Sequence, residues 1–170
     1  MATSASNRGK GTEKKVQDYL KLLEASNMTF TFNRVPDAHA AGGRFTPQAG
    51  DYQCFMRGFY TLHPHKLGRQ FEPISDIPFT KNFIIEVKEL KHDFRLPHAS
   101  YSADKVARVQ KRVLAGTEAI VILFHSEAKV WRAVPFAVFT DRSVGGSWDL
   151  RAYPPVDYRT ALSEFLGVLP

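Results

Sequence analysis

The chain is organised around residues 83–88, FIIEVK. This segment is rich in aromatic and β-branched residues, which predicts a strand. Because the side chains of a strand alternate between two faces, Ile85 and Val87 point into packing while Glu86 and Lys88 share the other face. The segment therefore places a carboxylate beside an ammonium group at the end of a buried strand.

Helical and strand patterns alternate on both sides of this segment. Apolar residues at helical spacing predict helices at about 9–25, 102–115 and 157–166. Alternating or unbroken apolar runs predict strands at 28–32, 51–56, 59–62, 119–124, 130–134 and 148–152, with a turn near 57–58 and loops at 36–50 and 63–81. The order predicts one α/β domain over residues 1–170, a central mixed β-sheet flanked by helices, after a loose tail at 1–7.

Composition and hydropathy favour a soluble protein. Apolar residues make up 44% of the 170 residues, which is enough for a sizeable core. No apolar run approaches the ~18 residues of a membrane span, and the N-terminus lacks a secretory signal. We therefore expect a cytoplasmic protein with no membrane partner, in a bacterial or phage-infected cell.

The single cysteine and the basic charge narrow the chemistry further. Cys54 stands alone, so an intramolecular disulfide and a Cys-rich zinc site are both excluded, and a buried structural thiol is expected. Lys and Arg number 23 against 17 Asp and Glu, a formal charge of +6. This surplus suits a polyanionic partner such as DNA, although many basic proteins bind no nucleic acid.

Three carboxylates are the candidate chemical groups. A carboxylate that holds a hard divalent cation, next to a lysine that stabilises an attacking water or the developing charge, is what metal-assisted phosphodiester hydrolysis needs, and Glu86 with Lys88 fits it. An E-x-K triplet also occurs by chance in most proteins. Asp51 opens a strand upstream and can supply a second carboxylate. Glu13 lies at the edge of the buried face of the first helix, where it either leans over the sheet or is simply solvated.

The second predicted helix carries an apolar stripe and a basic side. At ~100° per residue, Val106, Val109 and Val113 form the stripe and Leu114 extends it. Gln110 falls within this inward arc, where its amide needs a partner, either a backbone carbonyl or a water or phosphate at the site. The basic residues of the other side either track phosphates or are merely solvated; they are Lys105, Arg108, Lys111 and Arg112.

Taken together, these residues resemble the Holliday-junction resolvases of the PD-(D/E)xK superfamily, both the archaeal resolvases and the bacterial RecU group. The matching pieces are residues 8–13 (RGKGTE), Asp51, residues 85–88 (IEVK), Gln110 and residues 119–124 (AIVILF). They follow one another in the family's order over about three quarters of the chain.

The resemblance implies a restriction-endonuclease-like core and a Mg²⁺- or Mn²⁺-dependent endonuclease. Asp51, Glu86 and the carbonyl of Val87 would bind the metal, and Glu13 would complete the site. Lys88 would position the attacking water, and Gln110 would orient that water or a phosphate. Members of the group act on branched DNA in recombination and repair, and they act as homodimers, which suits a two-fold symmetric four-way junction.

Two departures from the family pattern leave the substrate open. Asp51 and Glu86 are farther apart in sequence than in the family, so residues 57–81 would be an insertion and Asp76 is a rival for the metal-binding aspartate. Residues 140–170 form a C-terminal extension without a counterpart. Two alternatives therefore remain: a nuclease for duplex or single-stranded DNA in repair or restriction, and a non-catalytic DNA-binding module.

Further basic and aromatic residues are candidates for DNA contact, with ordinary surface roles as the alternative. Besides the four basic residues of the second helix, they are Arg8, Lys10, Arg34, Arg44, Lys91, Arg95 and Tyr101, the last by stacking on a base.

Overall fold

A computed structural model describes residues 8–35, 50–61, 76–91, 94–142 and 145–168 of the chain. The helices are α1 (Arg8–Ser26), α2 (Ala103–Leu114) and α3 (Tyr158–Leu166). The strands are β1 (Phe30–Arg34), β2 (Tyr52–Thr61), β3 (Asp76–Leu90), β4 (Arg95–Pro97), β5 (Glu118–His125), β6 (Val130–Pro135) and β7 (Ser147–Asp149). The three predicted helices are confirmed, each ending within two residues of its expected bounds.

Five of the strands form a mixed sheet in the order β1-β2-β3-β5-β6. The pair β3–β5 is parallel, with Glu86 opposite Val121, and the chain crosses between these two strands through α2. The other neighbouring pairs are antiparallel. The chain is therefore an α/β protein with a mixed sheet and three helices, as the sequence predicts.

Strands β2 and β3 form one long antiparallel hairpin, which corrects the sequence prediction. The expected turn near Arg57-Gly58 does not exist, because β2 runs straight through it and pairs as far as Thr61 with Asp76. Part of the predicted 63–81 loop is therefore strand. Arg and Gly suggested a turn, but a long pairing partner overrides such a local signal. The stretches 36–49 and 62–75, with most of both predicted loops, lie outside the described residues.

One face of the sheet packs against α1 and α3, and we call it the α1 face. Its core includes Val16 and Leu20 of α1, Ile85 of β3 and Leu162 of α3, all fully buried. Cys54 is also buried there, as predicted. Because α3 contributes to this core, the C-terminal segment is part of the fold rather than an appendage.

The opposite face packs against α2, and we call it the α2 face. Ile84, Val121 and Leu123 of the sheet meet Val106 and Val109 of α2 there. The small β4–β7 sheet closes this core, with Leu96 opposite Trp148. Strand β4 was not predicted, because three residues that end in Pro97 show no strand pattern. No helix in the described part of the chain combines the length and apolarity that a membrane crossing requires.

Candidate active site

Asp51 lies directly beside the FIIEVK strand. Its backbone N–H donates to the carbonyl of Ile85 at 2.9 Å, and its Oδ2 accepts the N–H of Val87 at 2.7 Å. The turn into β2 depends on Gly50, whose φ of 80° is readily adopted only by glycine. A β-carbon at Gly50 would lie 2.4 Å from Cγ2 of Ile84. A tight backbone approach therefore holds the Asp51 carboxylate against β3.

Glu86 is fully buried on the α2 face and receives two ammonium groups. Nζ of Lys88 is 2.9 Å from its Oε1, and Nζ of Lys105 is 2.6 Å from the same oxygen. Its second oxygen, Oε2, is buried without a hydrogen-bond partner among the described residues. A buried carboxylate oxygen in that condition is costly unless a donor or a cation approaches it.

The electrostatics of the cluster show how closely its members lie. Burial raises the pKa of Asp51 most, and the negative charge of Glu86 raises it further, to about 7. The hydrogen bond from the Val87 N–H and the charges of Lys88 and Lys105 lower this pKa but do not offset the increase. Burial would lower the pKa of Lys88, but the charge and hydrogen bond of Glu86, together with the charges of Asp51 and Glu13, outweigh burial and raise that pKa. Lys88 therefore carries its proton at neutral pH, as a charge-stabilising group and not a base.

Helix α2 contributes Lys105 to the cluster, and this corrects the predicted orientation of the helix. Of the predicted stripe only Val106 and Val109 are buried; Val113 and Leu114 are exposed. Because the buried stripe is only this narrow, residues 105 and 110 lie on opposite sides of it. They are about 140° apart around the helix axis, at ~100° per residue. The flank of Lys105 faces Glu86. The predicted inward orientation of Gln110 is wrong, because that residue is exposed on the other flank.

Tyr101 belongs to the core beneath the cluster and does not face solvent. It is 1% exposed, so its predicted role of stacking on a base is wrong. Lys88 and Lys105 hold their Nζ atoms 5.4 and 5.5 Å from the centre of its ring. This contact with an aromatic face helps to fix both ammonium groups beside Glu86.

Glu13 reaches the edge of the cluster from α1. The hydroxyl of Tyr52 donates to the backbone carbonyl of Glu13 at 3.0 Å, which fixes α1 above the start of β2. The carboxylate of Glu13 is partly exposed and pairs with Arg34 at 3.1 Å, and its charge contributes to the raised pKa of Lys88. Glu13 therefore lies close enough to influence the site without joining the Asp51–Glu86 pair in a single group.

Asp76 is not a member of the cluster. It lies at the far end of the β2–β3 hairpin, and the strand rise of ~3.3 Å per residue places it roughly 33 Å along β3 from Glu86. The sequence left Asp76 as an alternative to Asp51 for the metal-binding aspartate. Its position at the far end of β3 excludes that alternative.

Arg132 is a further cation on the α2 face, and the sequence did not single it out. Arg132 pairs with Leu123, which in turn pairs with Lys88, so both cations lie in one row across the sheet. Its guanidinium is 4.7 Å from the centre of the Phe94 ring, and its Nε and Nη1 are buried without partners in the described part of the chain. The sequence signal that could have revealed it is a single arginine within the otherwise apolar strand β6.

The remaining DNA-contact candidates are dispersed. Lys10, Lys91, Arg95, Lys111 and Arg112 are exposed, and Arg108 is half-buried on α2. Arg34 is exposed but engaged with Glu13. The side chain of Arg8, and the whole of Arg44, lie outside what the structure describes.

The chain matches no protein-family model and no curated protein.

The donor set of the cluster suits a hard divalent cation. Asp51 and Glu86 are adjacent carboxylates, and the buried Oε2 of Glu86 is free of hydrogen bonds from other described residues. In the described ranges no three Asp, Glu, His or Cys side chains come together as a complete metal site. A cation held by this pair would therefore take its other ligands from backbone carbonyls, water or a phosphate, as Mg²⁺ commonly does.

Proposed function

We propose that this protein is a Mg²⁺- or Mn²⁺-dependent DNA endonuclease with a restriction-endonuclease-like core. The observation that carries the proposal is the pair of half-buried Asp51 and fully buried Glu86, flanked by the ammonium groups of Lys88 and Lys105. The two carboxylates could bind a divalent ion. The two fixed cations could stabilise the negative charge that develops on a phosphodiester under attack.

Each side chain has a definite part in the proposed reaction. A bound divalent ion would polarise the phosphodiester and lower the pKa of a water. Asp51 and Glu86 would hold the ion, together with the carbonyl of Val87. Lys88 stays protonated and donates to the attacking water or to a phosphate oxygen, and Lys105 adds a second donor at the same place.

Glu13 completes the site from outside the carboxylate pair. Its partly exposed carboxylate is paired with Arg34, so Glu13 would help to hold the ion through a water and not directly. Gln110 drops out of the mechanism because its side chain faces solvent.

The substrate we propose is branched DNA, chiefly the four-way junction. This follows from the resemblance of residues 8–13, Asp51, residues 85–88 and residues 119–124 to the Holliday-junction resolvases, and it brings with it a homodimer that cuts two opposed strands. The formal charge of +6 suits any DNA and does not choose among DNA structures.

Cleavage of defined DNA structures tests the proposal. Labelled four-way junction, linear duplex and single strand are incubated with the protein and Mg²⁺, and the products are mapped. Paired symmetric nicks near the crossover are expected. Cleavage confined to duplex or single strands would move the protein to a repair or restriction role, and tight binding without any cleavage would leave a non-catalytic DNA-binding module.

Variants of the FIIEVK strand separate the site from the fold. Glu86→Gln and Lys88→Ala should each abolish cleavage while leaving DNA affinity within a few fold. Glu89→Gln is the matched control: it removes the same charge on the same strand, but on the α1 face, where Glu89 accepts a hydrogen bond from Thr12 at 2.7 Å. Activity that survives in both Glu86→Gln and Lys88→Ala would overturn the site.

A further inference from the structure

A cavity of about 330 Å³ lies on the α2 face, two strand residues from the carboxylate pair. Strands β2 and β3 form its floor and the C-terminal end of α2 forms its wall. The residues that matter are Gln53, Phe55, Asn82, Ile84, Arg112 and Thr117.

The position of the cavity follows from strand alternation. Gln53 lies two residues after Asp51 and Ile84 lies two residues before Glu86, and these two residues are directly paired in the β2–β3 register. Two residues of strand span about 6.7 Å, which is close to the distance between neighbouring phosphates in a DNA strand. The cavity therefore begins about 6.7 Å along the strands from the carboxylates, a spacing that would match one nucleotide.

Helix α2 runs alongside with its basic flank toward the same face. Lys105 contacts Glu86, and Arg112 lines the cavity. These two residues are two turns apart, about 10.5 Å at ~1.5 Å per residue. One edge of α2 thus presents a cation to the candidate active site and a second cation to the cavity.

The cavity holds polar side chains that no other described residue engages. The side-chain amides of Gln53 and Asn82, and the guanidinium of Arg112, form no hydrogen bond or ion pair with any other described residue. Phe55, half-buried on the same strand as Gln53, supplies an aromatic surface. An aromatic ring, two amides and a guanidinium are the groups that recognise a base and its phosphate.

We propose that this cavity binds one nucleotide of the DNA strand, the one next to the phosphodiester that is cut. Its base lies against Phe55, the amides of Gln53 and Asn82 bind the edge of the base, and Arg112 binds its phosphate. The inference rests on the proposed nuclease function and extends it, because it makes the enzyme contact a base as well as the backbone.

Single abasic nucleotides placed in turn on each side of the mapped cut test the proposal. For the wild-type protein, one position next to the cut should lower the cleavage rate about tenfold or more, the range expected when a base loses its stacking partner. In Phe55→Ala the intact substrate should be cut more slowly by a similar factor, and the abasic nucleotide at that position should cause a clearly smaller loss than in wild type, because only the amide contacts to the base remain to be lost. An abasic effect of equal size in wild type and Phe55→Ala would overturn the proposal.

Amide variants supply the matched control. Gln53→Ala should weaken cleavage of the intact substrate, whereas Asn33→Ala should not. Asn33 pairs directly with Gln53 and is exposed on the neighbouring strand, but it does not line the cavity. Equal losses in the two variants would show a general effect of the sheet face and contradict the assignment.

A binding experiment keeps this proposal separate from the nuclease proposal. Thymidine and deoxyadenosine 5′-monophosphates are titrated into isotope-labelled wild type and Glu86→Gln without metal, and the NMR shifts of the cavity residues are followed. Shifts in both proteins that Phe55→Ala removes support the cavity even if no DNA is cut. Cleavage of intact DNA, with neither nucleotide shifts nor an abasic effect, would leave the nuclease standing and overturn the cavity.

Discussion

Glu86 receives both ammonium groups on one oxygen and none on the other. A fully buried carboxylate needs compensation for its lost hydration, and here two lysines from different elements provide it. The asymmetry leaves Oε2 without a hydrogen-bond partner among the described residues. A carboxylate kept only for stability would be expected to have both oxygens satisfied.

Lys105→Met tests whether the second ammonium group acts in the proposed reaction. Removing one fixed donor from a charge-stabilising site typically lowers the rate about a hundredfold, and we expect that loss here with little change in DNA affinity. Lys111→Met, on the same helix but exposed, is the control and should change the rate by less than about threefold. Equal rates for wild type and Lys105→Met would remove Lys105 from the mechanism.

Cys54 gives a prediction about stability at alkaline pH. Burial, and then the charge of Glu24, raise the pKa of its thiol to about 12 in the folded protein. An unfolded thiol ionises near pH 8.5, so between about pH 9 and 12 only the unfolded chain loses the proton, and stability falls by about 1.4 kcal/mol per pH unit.

The matched comparison is between wild type and Cys54→Ala. The variant is less stable at pH 7.5 because it has lost buried volume, but it lacks the titrating thiol. Urea unfolding at pH 7.5 and 10.5 should therefore show the stability of wild type relative to Cys54→Ala falling by about 2.7 kcal/mol. A difference that stays constant between the two pH values would show that the thiol is not held protonated.

At the level of single residues, the sequence predicted the members of the site better than their orientation. Strand alternation was enough to put Glu86 and Lys88 on one face, because a period of two leaves no choice. Helix α2 left a choice: its buried stripe is two residues wide, and a small rotation decides whether Lys105 or Gln110 faces the sheet. That rotation is set by the tertiary packing of Val106 and Val109, which the spacing alone does not determine.

The start of β2 is the element on which the candidate site depends most. Gly50 combines a left-handed backbone with a close approach to β3, and Asp51 follows immediately. The sequence showed a Gly-Asp pair at the head of a strand but could not show that β3 passes so near. The Asp51 position is therefore fixed by contact between two elements that are distant in the chain.

Gly50→Ala should disrupt that element far more than a comparable glycine change elsewhere. A β-carbon at Gly50 would meet Cγ2 of Ile84 at 2.4 Å and the carbonyl oxygen of Ile85 at 3.2 Å. We expect a loss of about 2–4 kcal/mol in stability from strain and overpacking, together with loss of cleavage.

Gly116→Ala is the control for this change. Gly116 also has a positive φ, of 92°, but nothing lies within 4 Å of its added β-carbon. Gly116→Ala should lower the stability by about 1 kcal/mol, which is the contribution of the unfavourable backbone conformation alone. If thermal or urea unfolding gives equal losses for the two variants, the close approach of β3 to Gly50 is not what holds Asp51.

For the whole molecule, the architecture was predictable and the long hairpin was not. The order of patterns sufficed for a mixed α/β sheet, because an amphipathic helix between two buried strands favours a parallel pair. The hairpin was not predicted because Arg57-Gly58 resembles a turn in isolation. Its pairing partners, Thr80 and Phe79, lie in a segment whose sequence shows no clear strand period. Pairing across long sequence separations is what local patterns do not contain.

Assembly is the prediction that belongs to the whole molecule. If the resemblance to junction resolvases extends to assembly, light scattering should give twice the mass of one chain, and one binding event on a junction should yield two opposed nicks. A monomer that makes single nicks would contradict the junction-resolving role while leaving the hydrolytic site intact.

The central claim is that Asp51 and Glu86 together hold one divalent cation that the cleavage reaction requires. The most direct test is the rate of DNA cleavage as a function of Mg²⁺ concentration for wild type, Asp51→Asn and the control Glu89→Gln. We expect a saturable curve for wild type and Glu89→Gln, and for Asp51→Asn either no cleavage or a curve displaced at least about tenfold to higher Mg²⁺. Cleavage that persists in EDTA, or one Mg²⁺ curve shared by wild type and Asp51→Asn, would contradict the claim.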